Sequence, residues 1–161
     1  MSSQKKRKIK IVTLHDNFFK LFEDETDPEL LLVKEDIHRR PCLVLVKIDF
    51  NDKKYTFALP LRSNINPGTP KDTFFNLPPR KTTKEYHYHG IHYAKAFPVD
   101  QKYFMQYSIG GDFYEEMILA IIEKNIKQII MEMQNYLKEY EAGRKPLYCV
   151  NIENAIEKQK L

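Results

Sequence analysis

The chain has 161 residues, of which 42% are hydrophobic and 30% are charged, a composition typical of one globular domain with a single core. Its net charge of +4 favours a polyanionic partner but is smaller than the charge expected of a protein with a dedicated DNA-binding arm. No apolar run reaches the ~20 residues that span a bilayer, and the N-terminus lacks a signal-peptide core. We therefore expect residues 1–161 to form one cytoplasmic domain without membrane contact.

The N-terminal segment combines basic, strand-like and helical patterns. Residues 1–7 are expected to be a flexible basic tail, for which solubility and RNA contact both remain open. Residues 8–14 alternate apolar and polar side chains, which predicts a strand. A short helix or turn is expected to follow, with Asp16 or Asn17 as its N-cap. A second helical turn is expected over residues 28–37.

A β-hairpin is predicted next. The continuous apolar run of residues 42–50 is typical of a buried strand. Asn51 and Asp52 are turn residues, and residues 53–61 return as the partner strand. Residues 65–83 contain four prolines and no periodicity, so we interpret them as a long loop, a feature that is often functional.

The second half of the chain is mostly helical in pattern. Residues 85–99 predict two short strands that are broken near Gly90. Residues 112–141 carry apolar side chains at spacings of three and four, which predicts a long helix that stops at Gly143. A short element over residues 147–159 closes the chain. The fold class is therefore α+β, with a compact, twisted, mostly antiparallel sheet, a long C-terminal helix and smaller flanking helices.

Three histidines lie close together in the sequence at His87, His89 and His92. On a strand, His87 and His89 share one face, and imidazoles arranged in this way can bind zinc. No cysteine or carboxylate at ligand spacing completes the set, and we interpret Cys42 and Cys149 as free thiols. We therefore expect no metal and no cofactor. Surface or RNA-facing roles are favoured for these histidines, with proton transfer as the alternative.

Polar side chains line up where the second hairpin strand is expected to end, at Arg62, Ser63 and Asn64. Arg40 precedes the first hairpin strand, so Arg40 and Ser63 are expected at the same end of the sheet. Arginine binds phosphate through two hydrogen bonds, and a hydroxyl and an amide add donors around the same anion. The pattern is consistent with a metal-free phosphate site and also with an ordinary solvated strand end.

Five segments follow one another in a characteristic order. They are an aromatic segment (VTLHDNFFKLF), a basic segment (RRPCLVLVKI), the strand FALPLRSNI, the segment GIHYAKAFPV and a long C-terminal helix. The ordered set resembles the TenpN toxins, within the ToxN and AbiQ group of type III toxin–antitoxin systems, from about Lys8 to Ile156. The resemblance implies a metal-independent endoribonuclease, often linked to phage defence. Such a toxin processes a repeated, pseudoknotted antitoxin RNA that inhibits it in a protein–RNA ring.

The resemblance also implies roles for individual residues. It assigns a catalytic role to Ser63 and to the basic residue before the first hairpin strand, which is Arg40, with Arg39 as the near alternative. The chain departs from the family pattern in four places. Arg62 stands where members usually carry threonine, Ile65 stands where they usually carry lysine, and the basic residue at position 40 is often lysine. The loop before EYHYHG is also longer than the family pattern predicts.

Cleavage without metal would use the 2′-hydroxyl of RNA as an internal nucleophile. Arg40 and Arg62 are then expected to stabilise charge on the scissile phosphate, while Ser63 positions the 2′-hydroxyl or a phosphate oxygen. Serine is a poor base, so His87, His89 or water is the candidate that takes the proton. The expected products carry a 2′,3′-cyclic phosphate and a 5′-hydroxyl.

Residues around this site are expected to contact antitoxin RNA and cellular or phage RNA substrates through charge, hydrogen bonds and stacking. Tyr55, Tyr86 and Tyr93 are further stacking candidates, of which about half are expected in the core. The competing function is a non-catalytic RNA-binding or protein-interaction module on the same scaffold. The expected RNA-binding residues are Arg39, Asn64, Arg80, Lys81, Tyr88, His89 and Lys95.

Overall fold

A computed structural model describes residues 9–23, 27–30, 40–107 and 112–161. The strands are β1 (Lys10–Leu14), β2 (Cys42–Phe50), β3 (Lys53–Ile65), β4 (Phe74–Leu77), β5 (Tyr88–His92), β6 (Phe97–Pro98) and β7 (Phe104–Gln106). The α-helices are α1 (Asp16–Lys20), α2 (Phe113–Lys124), α3 (Ile126–Glu141) and α4 (Ile152–Gln159). Short 3₁₀ turns cover Lys71–Thr73, Tyr93–Lys95 and Gln101–Tyr103.

The strands form one antiparallel sheet in the order β4-β5-β3-β2-β1-β7, with β6 paired to β3 beside β5. Alternate residues of β3 pack on opposite faces. Leu59 and Leu61 join the main core with α2 and α3, whereas Ala58 joins a smaller core with Phe18 of α1 and Ala155 of α4. The sheet therefore lies between two layers, and the predicted α+β fold class is confirmed.

The predicted hairpin is confirmed, with β2 and β3 paired from Phe50↔Lys53 to Cys42↔Pro60. Asn51 and Asp52 both have positive φ, at 48° and 64°, as a two-residue type I′ turn requires. The predicted end of the second strand at residue 61 is wrong, because β3 continues to Ile65. The extra residues are held by β5, which takes over the pairing from Leu61 onward.

The N-terminal strand and short helix are confirmed as β1 and α1. The predicted N-cap is wrong, because the cap is His15, whose Nδ1 accepts a hydrogen bond from the backbone N–H of Asn17 (3.1 Å). The basic tail and most of the helical turn expected over residues 28–37 lie outside the described residues.

Two predictions between residues 65 and 99 need correction. The region predicted to be a long loop contains the short strand β4. Its sequence shows no strand-like alternation, and its pairing with β5 defines it as a strand. The expected break near Gly90 is also wrong, because β5 runs through that residue and ends at His92. A Cβ on Gly90 would collide with the backbone oxygen of Phe75, so the glycine permits close strand approach rather than a break.

The helical pattern over residues 112–141 is confirmed, but Asn125 divides it into α2 and α3. The Asn125 side-chain amide donates to the backbone oxygen of Ile121 (2.8 Å), which closes α2 at that point. The stop at Gly143 is confirmed by its φ of 83° and by the bond from its N–H to the oxygen of Tyr140 (3.0 Å). No helix in the described ranges is long and apolar enough to cross a membrane.

Candidate active site

A β-bulge lies near the C-terminal end of β3. Arg62 pairs with Gly90 and Ile65 pairs with Tyr88, so three steps along β3 match two steps along β5. Ser63 and Asn64 occupy the irregular stretch. Such bulges reorient side chains and are common beside active sites. The sequence motif thus coincides with a local break in the sheet's regularity.

Arg40 and Arg62 meet beside this bulge. The backbone N–H of Leu61 donates to Pro41 (3.0 Å), which brings residue 40 opposite residue 62 just beyond the end of β2. Nη1 of Arg40 lies 3.5 Å from the backbone oxygen of Leu61. Burial lowers the pKa of Arg62, and the positive charge of Arg40 lowers it further. The two arginines therefore lie at the same end of the β2–β3 hairpin, as predicted for Arg40 and the polar segment of the second strand.

Arg62 is held by a buried histidine. Its Nη1 donates to Nδ1 of His92 (3.0 Å), and the His92 side chain lies among buried residues at 4% exposure. Because a guanidinium can only donate, Nδ1 must accept and the ring proton must reside on Nε2. Burial, followed by the charges of Arg62 and Lys95, lowers the pKa of His92 to about 3. His92 is therefore neutral near pH 7 and orients the guanidinium.

A cavity of about 740 Å³ opens beside the Arg62–His92 pair. Its volume falls within the range of about 300–1,000 Å³ that is usual for small-ligand sites. Five chain segments besides β3 and β5 contribute to its lining, so the fold brings together residues that are distant in sequence. The lining includes Glu29, Arg62, Asn64, Thr69, His87, His92, Lys95, Leu147 and Tyr148.

Lys95 lines this cavity from the 3₁₀ turn that follows β5, and it is 6% exposed. Its ammonium group forms an ion pair with Glu29 and donates to the backbone oxygen of Tyr148 (2.6 Å). Both bonds join segments that are far apart in the chain. The structure thus gives Lys95 a structural role in the cavity wall, which the sequence did not indicate, and its RNA contact stays a prediction.

Ser63 is half-buried, and it is not among the residues that line the cavity, although its neighbours Arg62 and Asn64 are. The Asn64 side-chain oxygen accepts from the backbone N–H of Lys84 (2.7 Å), which anchors the turn before β5. Ser63 therefore follows Arg62, which lines the cavity, and it is partly exposed at the bulge. Its catalytic role stays a prediction.

His87 and His89 do not share a face. His87 lies in the turn before β5, where its Nδ1 is 3.1 Å from the backbone oxygen of Glu85, and it lines the cavity. His89 lies within β5 and donates from Nδ1 to the backbone oxygen of Pro78 (2.9 Å), beside the Tyr114 ring. Burial lowers the pKa of His89. Of the two candidates for the base, His87 is the one beside Arg62's cavity.

A second polar cluster surrounds His89. Arg80 forms an ion pair with Glu115, and its guanidinium carbon lies 5.3 Å from the centre of the Tyr114 ring. These residues are absent from the lining of the 740 Å³ cavity. The structure therefore divides the predicted RNA-binding residues between two groups, with Arg80 and His89 at the N-terminal end of α2.

The remaining candidates have individual positions. Tyr88 is half-buried, with its ring centre 5.2 Å from that of Phe74, and Lys81 is exposed in the turn before β5. Tyr93 is buried and its hydroxyl donates to Glu132 (2.9 Å), whereas Arg39 lies outside the described residues.

Metal-ligating side chains and thiols are the remaining reactive groups in the described part of the chain. No three histidine, cysteine, aspartate or glutamate side chains there converge so that they could hold a metal ion. Cys42 and Cys149 are free thiols, as predicted, and burial raises the pKa of Cys42 to about 12. A thiol with so high a pKa is a poor nucleophile. The candidate functional groups are Arg40, Arg62, Ser63 and the histidines of the cavity.

Sequence reasoning missed three features of the cavity. His92 appeared only as a member of the histidine group, because its bond to Arg62 joins residues 30 positions apart and depends on strand register. Glu29 belongs to an acidic run that is typical of a solvated surface. Tyr148 stands in a short C-terminal element without a motif. No local sequence signal could have assigned these residues to one cavity.

Comparison with known proteins gives a likeness to solved structures. No family model and no curated protein matches the chain. A solved structure described as "A processed non-coding RNA regulates a bacterial antiviral system" superposes with a TM-score of 0.67. The match covers 94% of this chain and 97% of that chain, at 13% sequence identity. At this identity the likeness establishes the shared fold.

Proposed function

We propose that this protein is the toxin component of a type III toxin–antitoxin system and that it is a metal-independent endoribonuclease. Three independent lines support the proposal. The ordered motifs resemble TenpN toxins, and the fold resembles that of a protein described in connection with an RNA-regulated antiviral system. The third line is the site itself, which gathers cationic groups where the motif residues lie.

The convergence of Arg40 and Arg62 carries the proposal. Two like charges at one end of the β2–β3 hairpin repel each other, and the charge of Arg40 adds to burial in lowering the pKa of Arg62. A bound phosphodiester would relieve that repulsion and accept bidentate hydrogen bonds from a guanidinium. The Arg62–His92 bond prepares one guanidinium for this task, because it fixes the side chain before substrate arrives.

The chemistry follows from RNA itself. The 2′-oxygen forms a bond to phosphorus, the bond from phosphorus to the 5′-oxygen breaks, and the electron pair remains on the leaving oxygen. Arg40 and Arg62 stabilise the added negative charge, and Ser63 orients the 2′-hydroxyl or a phosphate oxygen. His87 or water removes the 2′-proton, and a proton from solvent completes the 5′-hydroxyl. The other product end is a 2′,3′-cyclic phosphate.

The proposal extends to regulation and location. A repeated, pseudoknotted antitoxin RNA occupies the toxin, is processed by it and holds it inactive in a protein–RNA ring. Released toxin then cuts cellular or phage RNA in the cytoplasm. These statements rest on the resemblance to TenpN toxins rather than on the geometry of the cavity.

The test is RNA cleavage by purified protein in excess EDTA, with the product ends identified by their chemistry. Arg62→Ala, Arg40→Ala and Ser63→Ala should each lower the rate by about 10²–10³-fold, the usual effect of removing one transition-state donor. Lys54→Ala is the matched control, because it removes a positive charge at the opposite end of the same strand and should leave the rate unchanged.

Two results would contradict the proposal. Complete loss of cleavage in EDTA would remove the metal-independent mechanism. RNA binding without cleavage of any RNA would replace the enzyme by a non-catalytic RNA-binding module. A fully active Arg40→Ala variant would transfer that role to Arg39 or leave it with Arg62 alone.

A further inference from the structure

Tyr148 has an unusual backbone conformation for a bulky residue. Its φ is 64°, in the left-handed region, and its side chain is 73% exposed. An aromatic residue in this region is a conformational outlier that costs about 1–3 kcal/mol and persists only where the surroundings impose it. Contacts from the surrounding chain must therefore hold Tyr148 in this conformation, and a strained residue of this kind is often part of a functional site.

Three hydrogen bonds hold the backbone of residues 148–151. Lys95 donates from Nζ to the backbone oxygen of Tyr148 (2.6 Å) while it is paired with Glu29. Two residues further on, the N–H of Val150 donates to Ala94 (2.9 Å). The N–H of Asn151 donates to Oδ2 of Asp27 (2.8 Å). A buried lysine thus fixes this segment while the tyrosine ring stays in contact with solvent.

Tyr148 belongs to the same cavity as Arg62. Tyr148 and Leu147 line that cavity together with Arg62 and His92. An anion-binding group and an exposed aromatic ring in one cavity match the two parts of a nucleotide, its phosphate and its base. Unpaired RNA bases are available for such stacking because they are not engaged in a duplex. A backbone that is already held in place loses little conformational entropy on binding.

We propose that Tyr148 forms a base-stacking subsite for single-stranded RNA, next to the phosphodiester that Arg62 binds. The inference rests on the proposed function and adds to it the conformation of the substrate, which is an unpaired nucleotide whose base lies on the Tyr148 ring. Lys95 and Glu29 act as positioning residues, since they hold the Tyr148 backbone rather than touch the base.

The probe is a short oligoribonucleotide in which every 2′-hydroxyl is replaced by fluorine, so that no internal nucleophile remains. One base is replaced by 2-aminopurine, whose fluorescence is quenched on stacking, and its position is varied along the probe. Tyr148→Ala should weaken binding by about 5- to 150-fold, the usual loss for one stacked base, and should abolish the quenching at one position. Tyr148→Phe retains the ring and should restore both signals.

Phe113→Ala is the matched control. Phe113 is also an exposed aromatic residue, at 84%, but it does not line the cavity, so its removal should change neither signal. All proteins are compared at one salt concentration, because phosphate contacts make the affinity salt-dependent.

The outcomes separate this inference from the proposed function. If the wild type cuts RNA but Tyr148→Ala binds and quenches like the wild type, the stacking subsite is overturned and the enzyme stands. If Tyr148→Ala and Phe113→Ala lose equal affinity, the assignment to this ring is also overturned. If the wild type quenches the probe but cuts no RNA, the subsite stands and the enzyme falls. A wild type that cuts RNA but binds no probe overturns the subsite alone, and one that neither binds the probe nor cuts RNA overturns both.

Discussion

Replacement of His92 by asparagine tests the Arg62–His92 bond through the pH dependence of stability. Burial and two neighbouring cations lower the pKa of His92 from 6.5 to about 3. Between these pH values the unfolded chain binds a proton that the native histidine does not, so stability is complete above pH 6.5 and falls as the pH falls toward 3. At about 1.36 kcal/mol per pH unit, His92 contributes a loss of about 3 kcal/mol by pH 4.5.

The assay is urea unfolding of the wild type and His92→Asn, followed by circular dichroism at pH 7 and pH 4.5. The asparagine Oδ1 can still accept from Arg62 but does not titrate, so the variant should lose about 3 kcal/mol less than the wild type between the two conditions. In thermal unfolding the same difference is about 6–12 °C in Tm for a chain of this size.

Because both proteins share every other titrating group, their difference isolates His92. Equal losses of stability in the two proteins would refute the reasoning. They would mean that His92 accepts a proton in the native state and that its bond to Arg62 does not persist. A change in the urea dependence itself would show instead that the substitution alters the compactness of one state.

Three further predictions concern stability, measured as the free energy of unfolding in urea. Lys95→Met should lower the free energy of unfolding by about 3 kcal/mol, because it leaves Glu29 without its cation in a largely buried position. The same substitution should cost less in a Glu29→Gln background. Equal costs in the two backgrounds would contradict the ion pair. Gly90→Ala should lower the free energy of unfolding by about 1–3 kcal/mol, because the added Cβ collides with the Phe75 backbone. A neutral effect would contradict the close approach of the two strands. Asp52→Gly should stabilise the hairpin by up to about 1 kcal/mol. Relief of the left-handed backbone, about 1–2 kcal/mol, outweighs the added entropy of the unfolded chain, about 0.4–1 kcal/mol, and destabilisation would contradict the type I′ turn.

Local signals predicted the parts of the fold that depend on neighbouring residues. The hairpin was predictable because two turn residues, Asn51 and Asp52, separate an apolar run from an alternating one. The α3 stop was predictable because Gly143 follows a periodic apolar pattern. The proximity of Arg40 to Arg62 followed from the antiparallel hairpin alone. In each case the structure is encoded within a short stretch or a single turn.

Features that depend on distant partners were not predictable. The short strand β4 lacks its own pattern, since its pairing with β5 defines it. The burial of Lys95 depends on a carboxylate 66 positions away, and lysine is usually a surface residue. The cavity needs the register of β5 against β3 before His92 can meet Arg62. Sequence reasoning therefore located the motif residues but not the neighbours that orient them.

The wall formed by residues 146–148 has a consequence for synthesis of the protein. Translation produces Arg62 and His92 long before it produces Tyr148, and the cavity includes all three. A ribosome-bound chain that has been extended only through α3 therefore has its cations but not its far wall or the carbonyl that receives Lys95. The complete pocket therefore forms only after residues 146–148 have been synthesised and have packed against Lys95, so shorter nascent chains carry the cations without the finished binding surface.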